Sequence, residues 1–100
     1  MTQEDLKNLF TEFSQKQQTV LLKKNNDYAT EDSLSNFKLA GEISGIGPTK
    51  QCLSLIAVKV ARLGVLTSGK DPENESVQDS VLDLANYAFL LHAILTEQST

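Results

Sequence analysis

Apolar residues in the first quarter of the chain fall at helical spacing. Leu6, Phe10, Phe13, Val20 and Leu21 share one side, with charged and amide residues between them. Thr2 with Asp5 three residues on is a near match to a capping box, so a first helix is expected from Thr2 to about Lys24. Asn25-Asn26-Asp27 are turn formers and mark Asn25 to Thr30 as a polar break. A second, short helix is expected over about Asp32 to Ile43, with Leu34, Phe37 and Ala40 on one side. Gly45 and Gly47 interrupt the pattern, and Pro48 suits the first position of a third helix. That helix runs to about Thr67, with Gly69 as terminator. Asp71-Pro72 makes a turn, and a fourth helix follows from about Glu73 to Glu97. No segment alternates like a strand. The expected fold is all-α: a four-helix single domain with helices three and four antiparallel, assembling as an oligomer.

On the fourth helix Val77, Val81, Leu84, Ala88, Leu91 and Leu95 form a continuous stripe, the expected core face. Glu75, Asp79, Asp83 and Asn86 lie roughly opposite, within about 80°. Leu82, Phe89, Leu90, Ala93 and Ile94 lie on or beside that same arc, so the acids are not simply a wet face. The third helix carries the complement. Lys59 and Arg62 project together from a sector shared with Cys52, Leu55 and Leu66. Cations on an apolar face need partners, because a buried unpaired charge costs several kcal/mol. Asp79 and Asp83 are the expected ones. Three carboxylates, Asn86 and Tyr87 facing two cations make more groups than a plain ion pair needs. Clustered carboxylates can hold Mg²⁺, so Glu75, Asp79 and Asp83 are candidate metal ligands, and a Lys/Arg pair can hold phosphate.

Charge and composition narrow the field. The chain has 100 residues and a net charge of −4, which argues against broad nucleic-acid backbone binding but not against a small anion in a basic pocket. A domain of this size buries only about two thirds of its unfolded surface, and pairing with a copy is a common way to add core. Cys52, the single cysteine, excludes an intrachain disulfide and reads as a buried, inert thiol. No secretory signal is expected, since no apolar segment follows a basic start, and the apolar run Leu53 to Leu66 is broken by Lys59 and Arg62 and too short to span a bilayer. A cytoplasmic protein without membrane contact is expected. Gly41 to Lys50 lacks phosphate-loop spacing. His92 has no catalytic partner in view and reads as structural. Lys24, Asp27 and Tyr28 add groups near a ligand, Tyr28 as a stacking surface.

The set Lys24-x-x-Asp27-Tyr28, Asn36-Phe37, Lys59-x-x-Arg62-Leu63 and the run from Glu75-Ser76 through Asp79 to Asp83-Leu84-Ala85-Asn86-Tyr87-Ala88 resembles a family. It is similar to small phage and bacterial proteins grouped as a nucleotide-modification-associated domain, over about residues 20 to 95. Ala29 stands where relatives often have glycine. The resemblance implies a nucleotide-related role, with Lys24, Asp27, Tyr28, Lys59, Arg62, Glu75, Asp79, Asp83 and Asn86 as site candidates. The layout is also similar to all-α nucleoside-triphosphate pyrophosphohydrolases, but no E-x-x-E precedes the acidic row, so one metal-binding half is missing.

Three functions are therefore open. One is a helical homo-oligomer that binds a nucleotide or other phosphate-containing ligand without turnover, as in sequestration of a host signal. The second is a Mg²⁺-dependent pyrophosphohydrolase, with the acids on metal and Lys59 and Arg62 on phosphate. The third is an adaptor in which the charges only fix helix register. The missing E-x-x-E favours binding over hydrolysis.

Overall fold

The computed structural model describes residues 1–28, 32–69 and 76–100. Its four helices are α1 (Gln3–Tyr28), α2 (Ser35–Ser44), α3 (Gly47–Leu66) and α4 (Val77–Gln98). No strand occurs among the described residues. The Asp71-Pro72 turn and the expected start of the fourth helix at Glu73 lie outside them.

Capping residues set two of the starts. Thr2 N donates to the Asp5 carboxylate at 2.9 Å and Asp5 N donates back to Thr2 Oγ1 at 3.0 Å, a closed capping box. Ser76 Oγ accepts from Asp79 N at 3.0 Å, so α4 begins at Val77 behind a serine cap. The expected end of the first helix fails: α1 runs past Lys24 into the polar break, to Tyr28. Asn25 does not turn the chain. It stays helical and donates from Nδ2 to the Ser33 carbonyl at 2.7 Å, tying α1 to the entry of α2.

α2 and α3 form a tight hairpin. Gly45 ends α2 in the left-handed region (φ 80°), where a Cβ would be strained. Gly41 lies against the backbone of Gly47 and Pro48; a Cβ there would run into the Gly47 carbonyl carbon. α3 and α4 pack antiparallel: Thr49 meets Gln98, Cys52 Sγ reaches the Tyr87 carbonyl at 3.5 Å, and Lys59 meets Asp83. Lys38 anchors α2 by pairing with Asp32 and, at 2.6 Å, with Glu97.

The core is small. Leu34, Phe37, Cys52 and Ile94 form it, with Leu55, Ile56, Tyr87, Leu90, Leu91 and Ala93 packed around them. Of the expected core stripe of α4 only Leu91 packs on this core. Val77, Leu84 and Leu91 are only half-buried, while Val81, Ala88 and Leu95 are exposed. Leu82, Asn86 and Ile94, on or beside the arc of the carboxylates, are buried instead. From Leu82 onward that side of α4 is covered because α3 and the end of α1 dock there.

α1 is held differently from the rest. Among the helices it packs mainly on α4, with Lys16 beside Asp79 and Lys24 beside Asp83, so the two helices run in the same general sense. α4 starts at Val77, just before Asp79, whereas α1 starts at Gln3, far ahead of Lys16. At 1.5 Å per residue the first turns of α1 project roughly 15 Å past the end of α4. The radius of gyration, 15.3 Å, exceeds the roughly 13 Å of a compact 100-residue domain. No described helix is long and apolar enough to cross a membrane.

Candidate functional site

Where α1, α2 and α4 converge, a cleft of about 110 Å³ opens beside Asp83. Leu21, Phe37, Tyr87 and Leu90 form its apolar wall, and Lys24, Asn25, Asn36, Asp83 and Asn86 its polar one. The sequence places a charged pocket between helices three and four. The structure puts the cleft on the other flank of α4, and α3 contributes through Lys59.

Asp83 is the electrostatic hub. Its Oδ2 accepts from Lys59 Nζ at 2.7 Å and its Oδ1 from Lys24 Nζ at 3.1 Å. The Asp83 and Lys59 side chains are 16% and 19% exposed, whereas Lys24 is 57% exposed at the rim. Burial pushes the Asp83 carboxyl up, but the hydrogen bonds from Lys59 and Lys24 outweigh it and hold the carboxyl below the ordinary aspartate range. Lys59 Nζ also lies 5.7 Å from the centroid of the Tyr87 ring, which meets Phe37 edge-on at 6.4 Å. Tyr87 is thereby fixed between an ammonium and a second ring. Two ammonium groups on one carboxylate leave this cluster with a residual positive charge.

Asn86 supplies the other unusual feature. It is 5% exposed, and its Oδ1 finds no donor among the described residues. A buried acceptor left unpaired costs about 1–3 kcal/mol, and most such groups in folded proteins are satisfied. The atom belongs to a residue lining the cleft. It is a point at which a bound N–H or O–H would recover that cost.

The remaining candidates scatter. Asp79 does not meet Lys59. It is exposed and pairs with Lys16 at 3.8 Å. Arg62 is exposed on α3, one turn beyond Lys59. The side chains of Asp27 and Tyr28, and Glu75 entirely, lie outside the described residues, so the stacking role expected of Tyr28 falls there too. Among the described residues no three His, Cys, Asp or Glu groups gather as metal ligands. With both oxygens of Asp83 engaged by ammonium groups, its surroundings suit an anion better than Mg²⁺. His92 is exposed on α4, 6.3 Å from the Phe89 ring.

Leu21, Asn25 and Ser33 are among the cleft residues that the sequence did not mark as a site. Continuing the first helix past Lys24 places Leu21, Lys24 and Asn25 on one face by their three- and four-residue spacing. Reading Asn25 as a turn former hid that face. Comparison with known proteins finds no matching family model, curated protein or solved structure.

Proposed function

We propose that the chain is a nucleotide-binding protein of phage type that captures its ligand in the α1–α2–α4 cleft without turning it over, working as a homo-oligomer in the cytoplasm. The observation that carries the ligand reading is the buried Oδ1 of Asn86, unpaired among the described residues, on a residue that lines a cleft with the Lys24 ammonium at its edge. A nucleobase carries ring or exocyclic N–H donors that fit such an acceptor, and a flat face that suits the wall of Phe37 and Tyr87. Its phosphate is the anion that Lys24 attracts from the rim, with Lys59 adding positive charge behind Asp83. The cleft is smaller than the roughly 300–1,000 Å³ of a whole-ligand site. It therefore takes the ring and leaves the sugar and phosphate at the exposed edge, beside Lys24.

Hydrolysis has less support. A pyrophosphohydrolase needs free carboxylate oxygens for metal, and those of Asp83 are taken by Lys24 and Lys59. A purely structural role for the ion pairs accounts for Asp83 but not for Asn86.

The test is thermal denaturation with a panel of nucleoside mono-, di- and triphosphates, with and without Mg²⁺, followed by product analysis. Stabilisation that needs no metal and yields no product is expected. Release of pyrophosphate, lost in Asp79→Ala, would establish the enzyme instead. No shift with any nucleotide, while Lys59→Ala destabilises the free protein, would leave only the structural role.

A further inference from the structure

The first turns of α1 and the start of α4 border an apolar groove of about 950 Å³, lined by Leu6, Leu9, Phe10, Phe13, Val77 and Val81. Its walls are poorly covered: Leu6, Leu9, Phe10 and Val81 are all exposed, Phe10 by 70%. Scattered exposed apolar residues are ordinary, but a contiguous groove of them is not. We infer that this groove is the docking surface for a second copy of the chain, whose own projecting α1 arm seats in it.

Surface area argues for a copy as the occupant. The chain exposes 7315 Å², against roughly 5,600 Å² for a folded monomer of this mass by the usual scaling of area with mass. The excess, about 1,700 Å² per chain, is twice the roughly 800 Å² that each partner buries in a standard interface, and it lies in the range of obligate dimers. The radius of gyration, 15.3 Å, agrees with an α1 whose first turns run past the described start of α4. The groove is also self-complementary. It is formed by the arm that must fill it, as a two-fold interface requires. Asp5 and Glu12 lie on the same flank of the α1 stripe as Lys16. Two arms packed antiparallel therefore set opposite charges side by side.

The docking has a consequence for the cleft, because α1 supplies both the arm and, through Leu21 and Lys24, one wall of the ligand site. Fixing the arm steadies that wall. The inference rests on the homo-oligomer reading and is independent of what the cleft binds.

Sedimentation velocity on the full chain across a dilution series tests it. The expected result is a species of at least twice the 11.0 kDa chain mass, converted to monomer by Phe10→Asp and by Val81→Asp. These sit on opposite walls of the groove, so failure of one variant to fold leaves the other to decide. Ile43→Asp, at a position 78% exposed on α2, is expected to keep the wild-type mass. A wild-type chain that stays monomeric at all concentrations overturns self-association itself. An assembly that survives both groove variants, or that Ile43→Asp dissolves, overturns this surface as its seat.

Discussion

Replacing Asp83 by asparagine keeps the volume of the side chain and removes the charge that two lysines share. The Lys59 ammonium, 19% exposed and 2.7 Å from the carboxylate, is left without a counter-charge. A hydrogen bond to a charged group contributes about 1.5–3 kcal/mol. The rim pair with Lys24 adds at most about 1 kcal/mol, because that ammonium is largely in water. The asparagine oxygen still accepts one hydrogen bond, so the net loss is about 2 kcal/mol. In a domain of this size that lowers the melting temperature by roughly 8–16 °C. Far-UV circular dichroism in urea and on heating, at one fixed protein concentration, measures it. The double variant Lys59→Met/Asp83→Leu replaces the pair with apolar groups and is expected within about 1 kcal/mol of wild type, since removing both charges also removes their desolvation cost. The pH dependence has a defined sign. The folded-state carboxyl is held below the ordinary aspartate value of about 3.9, so the contribution is complete well above that value. It is lost as pH falls through the folded-state value. The gap between wild type and Asp83→Asn should begin to narrow as pH falls below about 4 and close only below the folded-state value. An Asp83→Asn protein within about 0.5 kcal/mol of wild type at pH 7, or a gap unchanged at pH 3, would refute the hub role of Asp83.

Gly41→Ala forces a Cβ into the backbone of Gly47 and Pro48, which cannot rotate away. A loss of at least about 1–3 kcal/mol is expected, read as a lower urea midpoint with an unchanged slope. Cys52 is fully buried, and burial raises its thiol above the ordinary range. A thiol-specific reagent should therefore be unreactive toward the native chain and titrate one group in denaturant.

The four helices were legible because each carries a helical spacing of apolar residues and a local stop or start. The Thr2–Asp5 box and the Gly45 terminator formed as their chemistry dictates. The end of α1 was not legible, because the turn-forming tendency of Asn25 is local, whereas its bond to the Ser33 carbonyl is tertiary. The inward side of α4 was misread for a related reason. Beyond Tyr87 that helix is apolar on nearly every side, and only the positions of its neighbours decide which side is covered. The stripe expected as core is exposed at Val81, Ala88 and Leu95 and half-buried at Val77, Leu84 and Leu91. At the site, the pairing of Lys59 with Asp83 followed from the cost of a cation on an apolar face. Asp79 went instead to Lys16, since a helix wheel gives direction but not reach. The excess of acids over cations expected there is reversed among the described groups, where Asp83 meets two lysines.

The central claim, that the cleft recognises a nucleotide through Asn86, is tested most directly by Asn86→Leu. Leucine removes a buried acceptor that has no partner among the described residues, so the unliganded variant should be as stable as wild type or more so, by up to about 2 kcal/mol. It should also have lost the nucleotide-induced rise in melting temperature. Titration calorimetry of both proteins with the nucleotide that most stabilises wild type measures this. The account predicts heat of binding for wild type and none for the variant at the same concentrations. An Asn86→Leu protein that binds as tightly as wild type would contradict it.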